Sequence, residues 1–270
     1  MIQVTAPPDL PDRWSGKIHS IFANSCNVLL DGGGLLTIHR FSFGMLPRSL
    51  YVPGLSTEEL EHGAPVKGGP EGVLLGNRLL KWSDRLRRMD TTIPRSGCPP
   101  RNWQEPLTLL RRRQDSLEGS ALTDALYNRL RHAMSGLWKG LQAGDDRAIS
   151  AGCLACVGLG QGLTPSGDDM LLGIMAALHM YRPELACRLA AGIRPLLGRT
   201  NDISRSYLEL ALVGYAATPV LDAAAELSGS GTEAARLLMT IGHSSGCDIL
   251  EGLVTTAEQL TVQERKEGRL

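Results

Sequence analysis

The hydrophobic pattern divides the chain into a shorter part with a period of two and a longer part with a helical period. Between residues 15 and 80, short alternating or apolar runs are separated by glycine, proline and asparagine, which is typical of strands. The clearest hairpin pairs residues 27–30 with residues 35–39 across a glycine-rich turn. Further strands are predicted at residues 16–22, 49–52 and 72–75. We therefore predict a small, mainly antiparallel β domain over residues 1–90.

The helical period begins after a proline-rich segment. Residues 91–107 contain four prolines and few large apolar residues, which predicts an irregular linker. From residue 108 onward, apolar residues recur at steps of three and four, and alanine and glycine are frequent after residue 144. Small residues let helices pack closely. The predicted fold class is α+β, with a larger all-α domain at residues 108–270 that carries the site.

Composition excludes several classes of function. The 28 basic and 28 acidic residues cancel, and aromatic residues make up 4% of the chain, so we expect no nucleic-acid partner. No apolar run reaches the roughly 18 residues of a membrane helix, and the first residues do not resemble an export signal. We expect a cytoplasmic protein whose six cysteines are reduced thiols. An anionic ligand would have to be held by local groups.

One element occurs twice in the helical part. Residues 166–173 align with residues 245–252 and share serine, glycine, aspartate, leucine and glycine at five of eight positions. Each copy has the residues that begin a helix. The predicted capping pairs are Ser166 with Asp169 and Ser245 with Asp248, and Thr164 is the predicted N-cap before Pro165. One interpretation, left open here, is that these are two well-capped helices without further function.

Other features favour a functional site. Asp168 lies on the apolar stripe of its helix and is predicted to point inward, where a carboxylate needs a partner. Glycines at 158, 160 and 162 free the preceding loop to approach a ligand. A third loop, residues 200–206, resembles the other two in composition. The candidate substrate-binding residues are Gly160, Gly162, Thr164, Ser166, Gly167, Ser204, Arg205, Ser206, Ser244, Ser245 and Gly246, and the candidate catalytic residues are Asp168, Asp169, Asp248 and His243.

At residues 160–169, 206–207 and 242–248 the sequence resembles a bacterial family of uncharacterised-domain proteins that includes the small subunit of oxamate carbamoyltransferase. The resemblance covers about 120 carboxy-terminal residues and, more loosely, residues 35–40 of the β region. It implies a part in the phosphorolysis of oxalurate to oxamate and carbamoyl phosphate, a step of allantoin degradation in purine catabolism. It also implies two partners, a subunit similar to acyl-CoA synthetases and a second large subunit. The family supplies no assigned catalytic residues.

Residue chemistry alone gives the expected roles. We predict that helix-start amides near Ser166 and Ser245, together with Arg205, bind a small anionic substrate, and that His243 acts as acid or base with an aspartate orienting it. Alternatively, Arg205 neutralises one of the aspartates, or Asp168, Asp169 and Asp248 hold Mg²⁺. Two other functions stay open, which are a non-catalytic ligand-binding or assembly subunit and a metal-dependent hydrolase.

Overall fold

The computed structural model describes residues 5–6, 10–41, 44–82, 87–115 and 121–266. Its residues group into two compact units, residues 1–91 and residues 92–270. The first unit is a mainly antiparallel sheet and the second is helical, so the α+β class is confirmed. How far residues 91–107 act as a linker between domains stays a prediction.

The first unit is a nine-stranded sheet with the order β8-β7-β6-β2-β3-β4-β5-β1-β9. The β4–β5 and β1–β9 pairs are parallel and the others are antiparallel. The strands are β1 Thr5–Ala6, β2 Trp14–Phe22, β3 Ser25–Leu30, β4 Leu35–His39, β5 Ser49–Tyr51, β6 Pro65–Gly69, β7 Gly72–Leu75, β8 Arg78–Lys81 and β9 Arg87–Arg88. The sequence pattern missed β1, β6, β8 and β9, which are short or interrupted by glycine and charged residues.

The predicted hairpin is confirmed as β3 and β4, which pair in antiparallel register from Ser25 opposite His39 to Leu29 opposite Leu35. Gly33 and Gly34 have positive φ angles of +89° and +82° in the turn, a conformation that glycine adopts without strain. Apolar side chains on one face of the sheet form the core of this unit. They include Ile18, Cys26, Val28, Leu36, Ile38, Leu50, Val66 and Val73.

The second unit is built from nine α-helices and a short 3₁₀ helix in its described part. The helices are α1 Gln104–Asp115, α2 Ala121–Ala143, α3 Asp146–Cys156, α4 Ser166–Tyr181, α5 Pro183–Ile193, the 3₁₀ helix Arg194–Arg199, α6 Asp202–Leu212, α7 Thr218–Glu226, α8 Glu233–Leu238 and α9 Ser245–Lys266. Among the helices of the described ranges, none has both the length and the apolar character to cross a membrane.

Helices α4 and α9 pack at the centre of this unit through one glycine each. A methyl group added at Gly173 would lie 2.0 Å from the carbonyl oxygen of Ile249, and one added at Gly252 would lie 2.2 Å from that of Met170. Gly173 and Gly252 are equivalent positions of the repeated element, so each copy makes the same contact with the other. Reciprocal contacts of this kind are typical of two elements related by an approximate twofold rotation.

Candidate functional site

The similarity between the two copies of the repeated element also includes the helix that precedes each aligned segment in the chain. A methyl group added at Gly167 would lie 2.1 Å from the carbonyl oxygen of Cys156, and one added at Gly246 would lie 1.9 Å from that of Leu238. Cys156 ends α3 and Leu238 ends α8. Each copy is therefore a helix, a loop and a second helix, in which the second helix begins against the end of the first.

The predicted capping boxes are exchanged between the two copies. The side chain of Asp169 is hydrogen-bonded to Ser245, and the side chain of Asp248 is hydrogen-bonded to Ser166. Each aspartate thus bonds to the serine that begins the other helix. The pairing predicted from the sequence, of each aspartate with the serine of its own helix, is wrong. Both aspartates are only 1% exposed. We call Asp169 and Asp248 the carboxyl pair.

Thr164 does not cap α4 as predicted. The structure places Pro165 at the N-cap of α4, where it makes no side-chain hydrogen bond. The Thr164 hydroxyl instead lies 2.8 Å from Ser245 Oγ, and it is also hydrogen-bonded to Asp169. Because the two helix starts meet, this threonine bonds to both of them, to Ser245 of α9 and to Asp169 of α4.

Burial dominates the electrostatics of the carboxyl pair. It raises the pKa of Asp169 from 3.8 to about 8, and the negative charges of Asp248 and Asp168 add to the rise. Hydrogen bonds from Ser245 and Thr164 lower this pKa but do not offset the burial. Burial also raises the pKa of Asp248, while hydrogen bonds from Tyr127, Ser166 and Ser244 act in the opposite direction. The Tyr127 hydroxyl donates to Asp248 Oδ1 at 2.7 Å. A pair of this kind holds a proton near neutral pH.

In each member of the carboxyl pair, one buried oxygen, Oδ2, has no hydrogen-bond partner among the described residues. Buried polar atoms are nearly always satisfied in proteins, and exceptions concentrate where a proton or ligand belongs. With one proton on the pair, one of these oxygens donates and the other accepts, so the pair offers one hydrogen-bond donor and one acceptor to a bound group.

Asp168 points inward as predicted and is fully engaged by the protein. It is 0% exposed and accepts hydrogen bonds from the Gly158 amide at 2.8 Å, the Thr200 hydroxyl at 2.5 Å and the Ser204 hydroxyl at 2.7 Å. These donors come from the loop after α3, the segment before α6 and α6 itself. Asp168 thus ties the third predicted loop to the start of α4.

Arg205 has a different partner from those considered in the sequence. Its guanidinium pairs with Asp202, three residues earlier on α6, and its side chain is 40% exposed. The hypothesis that Arg205 neutralises Asp168, Asp169 or Asp248 is therefore wrong, because hydroxyls and an amide occupy that position beside Asp168 instead.

The first-turn amides of α4 and α9 are largely used by the fold. The amide of Gly167 donates to Leu159, that of Gly246 to Ile241 and that of Asp248 to Ser244. The amides of Asp168 and Asp169 both donate to the Pro165 carbonyl. An anion approaching these helix starts would not find those five amides free, and anion binding by the amides of Ser166 and Ser245 stays a prediction.

The three aspartates do not form a common set of metal ligands. Within the described part of the chain, no three His, Cys, Asp or Glu side chains are grouped so that they could hold a metal ion. Asp168 turns toward Thr200 and Ser204, whereas Asp169 turns toward Ser245. This divergence separates the two adjacent carboxylates and overturns the alternative of a shared Mg²⁺ site.

Two family models match the chain. One, described as oxamate carbamoyltransferase subunit AllH, matches residues 156–257. This range contains both copies of the repeated element and most of α9. The other, described as the AllH family N-terminal domain, matches residues 5–86, the sheet. The chain belongs to the AllH family. No solved structure matches it. Membership in the family of a carbamoyltransferase subunit implies protein partners.

The remaining predicted residues lie around the helix starts of this AllH-family chain. His243 is exposed, and the hydrogen bonds of the described residues do not join it to an aspartate. Its role as acid or base stays a prediction. Ser206 is buried on α6, and Ser244 is hydrogen-bonded to Asp248. Gly160 and Gly162 have φ angles of +130° and +92°, so the loop before α4 depends on glycine as predicted.

Two functional candidates were missed by the sequence pattern. Tyr127 lies on α2, far from both copies in the sequence, and it was not separable from the apolar face of that helix. Thr200 precedes α6 and was passed over for Arg205 in the same loop. Both are found only through their bonds to Asp248 and Asp168.

Proposed function

We propose that this chain is a subunit of an oxamate carbamoyltransferase-type complex and that the carboxyl pair binds the carbamoyl group and moves the proton of the transfer. The observation that carries this proposal is the reciprocal bonding of Asp169 and Asp248, which leaves one buried oxygen of each without a partner in the part of the chain that the structure describes. The family match supplies the reaction class, and the geometry supplies the candidate groups.

The reaction needs a group that accepts one proton and donates another. When phosphate attacks the carbamoyl carbon of oxalurate, the bond from that carbon to the oxamate nitrogen breaks. The proton of hydrogen phosphate must leave, and the oxamate nitrogen must gain one. Two carboxyls, one protonated and one ionised, perform both roles, because general acid and base catalysis is most effective when the pKa lies near the working pH. The raised pKa of Asp169, about 8, meets that condition.

Hydrogen-bonding capacity favours the carbamoyl group over phosphate at this position. The pair, with one carboxyl protonated and one ionised, offers one O–H donor and one acceptor at the two oxygens that lack partners among the described residues, and these match the carbonyl oxygen and the NH₂ of a carbamoyl group. A phosphate contacts the ionised carboxylate favourably only through the proton that it gives up, because its other oxygens are repelled. Substrate binding thus stays at the paired helix starts, but through the carboxyl pair rather than through amide donors. Arg205 is partly exposed on α6 and follows Ser204, which bonds to Asp168 at the start of α4, so it is the candidate for the anionic end of the substrate.

The proposed setting follows from the family resemblance. We expect the chain to work in the cytoplasm beside a subunit similar to acyl-CoA synthetases and a second large subunit, in the degradation of allantoin. The family match supports the existence of partner subunits, and copurification identifies them.

The test is the rate of carbamoyl phosphate formation by the complete complex carrying Asp169→Asn or Asp248→Asn. We expect each variant to lower kcat by roughly a hundredfold, the usual contribution of a positioned acid or base. The matched control is Asp124→Asn, an exposed aspartate in the first turn of α2, which should leave kcat unchanged. Unchanged kcat in both pair variants would exclude this role.

A binding or assembly role is the second candidate, and Asp168 favours it. Its three hydrogen bonds are all to residues of the chain itself, so it stabilises the junction of α4 and α6 rather than meeting a ligand. If the whole site has only that purpose, the pair variants should weaken association with the partner subunits. If the site is catalytic, the complex should form normally and only the rate should fall.

A further inference from the structure

A groove separate from the carboxyl pair lies between α2 and α9, with α4 beneath it. Its volume is about 330 Å³. Its floor is formed by Met134, Trp138, Met170 and Ile174, each no more than 8% exposed. Polar side chains of α2 and α9 form the two walls. The groove thus combines a hydrophobic floor with hydrogen-bonding walls, as small-molecule sites do.

Helix α2 presents three hydrogen-bond donors to the groove within one turn. Ser135, Trp138 and Lys139 line it and are spaced at i, i+3 and i+4, which places them on one face of the helix. Trp138 is 4% exposed, and its indole Nε1 has no acceptor among the described residues. Within the same ranges, no carboxylate forms an ion pair with Lys139. A buried indole N–H without an acceptor is unfavourable, and an ammonium on the same helix face favours an acceptor that carries negative charge.

The ends and the far wall of the groove limit what fits. Gln142 donates to Gln259 Oε1 at 3.1 Å, which joins α2 to α9 across the groove. Glu251 lines the opposite wall and disfavours a second negative charge on the ligand. The volume is near the lower limit for small-molecule pockets, too small for a helix of a partner protein. The apolar floor favours a ligand with a carbon body over inorganic phosphate.

We propose that this groove binds a small amphipathic organic anion, with its carboxylate on Ser135, Trp138 and Lys139 and its apolar body on Met134, Met170 and Ile174. The inference does not rest on the proposed carbamoyl site, because none of these residues belongs to the carboxyl pair. It adds a second binding site to the helical unit.

The test is a titration of the full chain, labelled with ¹⁵N at its indoles, with octanoate as the probe. Tryptophan occurs four times, so few indole signals appear, and the signal of Trp138 is the one lost in Trp138→Phe. We expect octanoate to shift that signal saturably and octanamide, its neutral counterpart, to bind roughly tenfold more weakly, as expected when a charge-assisted hydrogen bond is lost.

Two exposed residues of α2 provide the matched pair of variants. Lys139→Gln should raise the dissociation constant for octanoate roughly tenfold, whereas Arg129→Gln, which does not line the groove, should leave it unchanged. The proposal is overturned if the Trp138 signal does not move, if octanoate and octanamide bind equally, or if the two variants behave alike.

Discussion

At the residue scale, the site depends on two aspartates whose hydrogen bonds cross between helices. Asp169 and Asp248 each lie in the first turn of a helix, where the helix dipole favours negative charge. Burial opposes ionisation more strongly, since charged groups lose their hydration in the interior. The inward direction of Asp168 followed from its position on an apolar stripe. The exchange of capping partners did not, because it depends on how the two helix starts meet in space.

The raised pKa of Asp169 predicts how stability changes with pH. The folded protein keeps this proton up to about pH 8, whereas the unfolded chain releases it near 3.8. The folded state therefore binds more protons over that interval, and the free energy of unfolding falls as the pH rises through it. Asp169→Asn stays neutral, so urea denaturation should show a weaker fall, and the variant should be more stable than the parent near pH 8.

Asp124→Asn is the control for this pH series, because Asp124 is an exposed acid in an equivalent first-turn position. Its denaturation profile should follow that of the parent at every pH. Asp248, whose pKa is shifted in the same direction, keeps its own contribution in Asp169→Asn, so some slope should persist. Identical slopes for Asp169→Asn and the parent would show that Asp169 is ionised in the folded protein.

At the element scale, close packing of α4 on α9 positions the carboxyl pair. The repeated glycines were visible in the sequence, but their purpose was not, because a shared glycine indicates a turn or a cap as readily as a helix contact. The structure shows that Gly173 and Gly252 each admit a backbone carbonyl of the other helix. The hairpin β3–β4 shows the opposite case, since alternation and turn residues are local signals and predicted it correctly.

Gly173→Ala tests this contact. The added methyl would lie 2.0 Å from the Ile249 carbonyl oxygen, and a helix backbone yields less readily than a side chain, so α4 and α9 must separate. We expect the free energy of unfolding to fall by about 3 kcal/mol in urea denaturation.

Gly136→Ala is the matched control, because a methyl added there on α2 meets nothing within 4 Å. It should raise the stability by about 1 kcal/mol through helix propensity. A Gly173→Ala protein as stable as the parent would contradict the close approach of the two helices.

At the scale of the whole molecule, the sheet and the helical unit each match a model of the same family, and the site candidates lie in the helical unit. The sequence predicted the α+β class because period two and helical period occupy separate stretches of the chain. It predicted the neighbourhood of the site through the repeat, and it did not show that several amides beside Ser166 and Ser245 bond within the fold. Contacts between distant segments, such as Tyr127 with Asp248, leave no local pattern.

The central claim is that the carboxyl pair holds the carbamoyl group, and a structure of the complete complex with bound oxalurate tests it most directly. We predict that the carbamoyl NH₂ and the carbamoyl oxygen lie within hydrogen-bonding distance of Asp169 Oδ2 and Asp248 Oδ2, the two buried oxygens without partners among the described residues. Oxalurate bound elsewhere, with those two oxygens not contacting it, would contradict the claim.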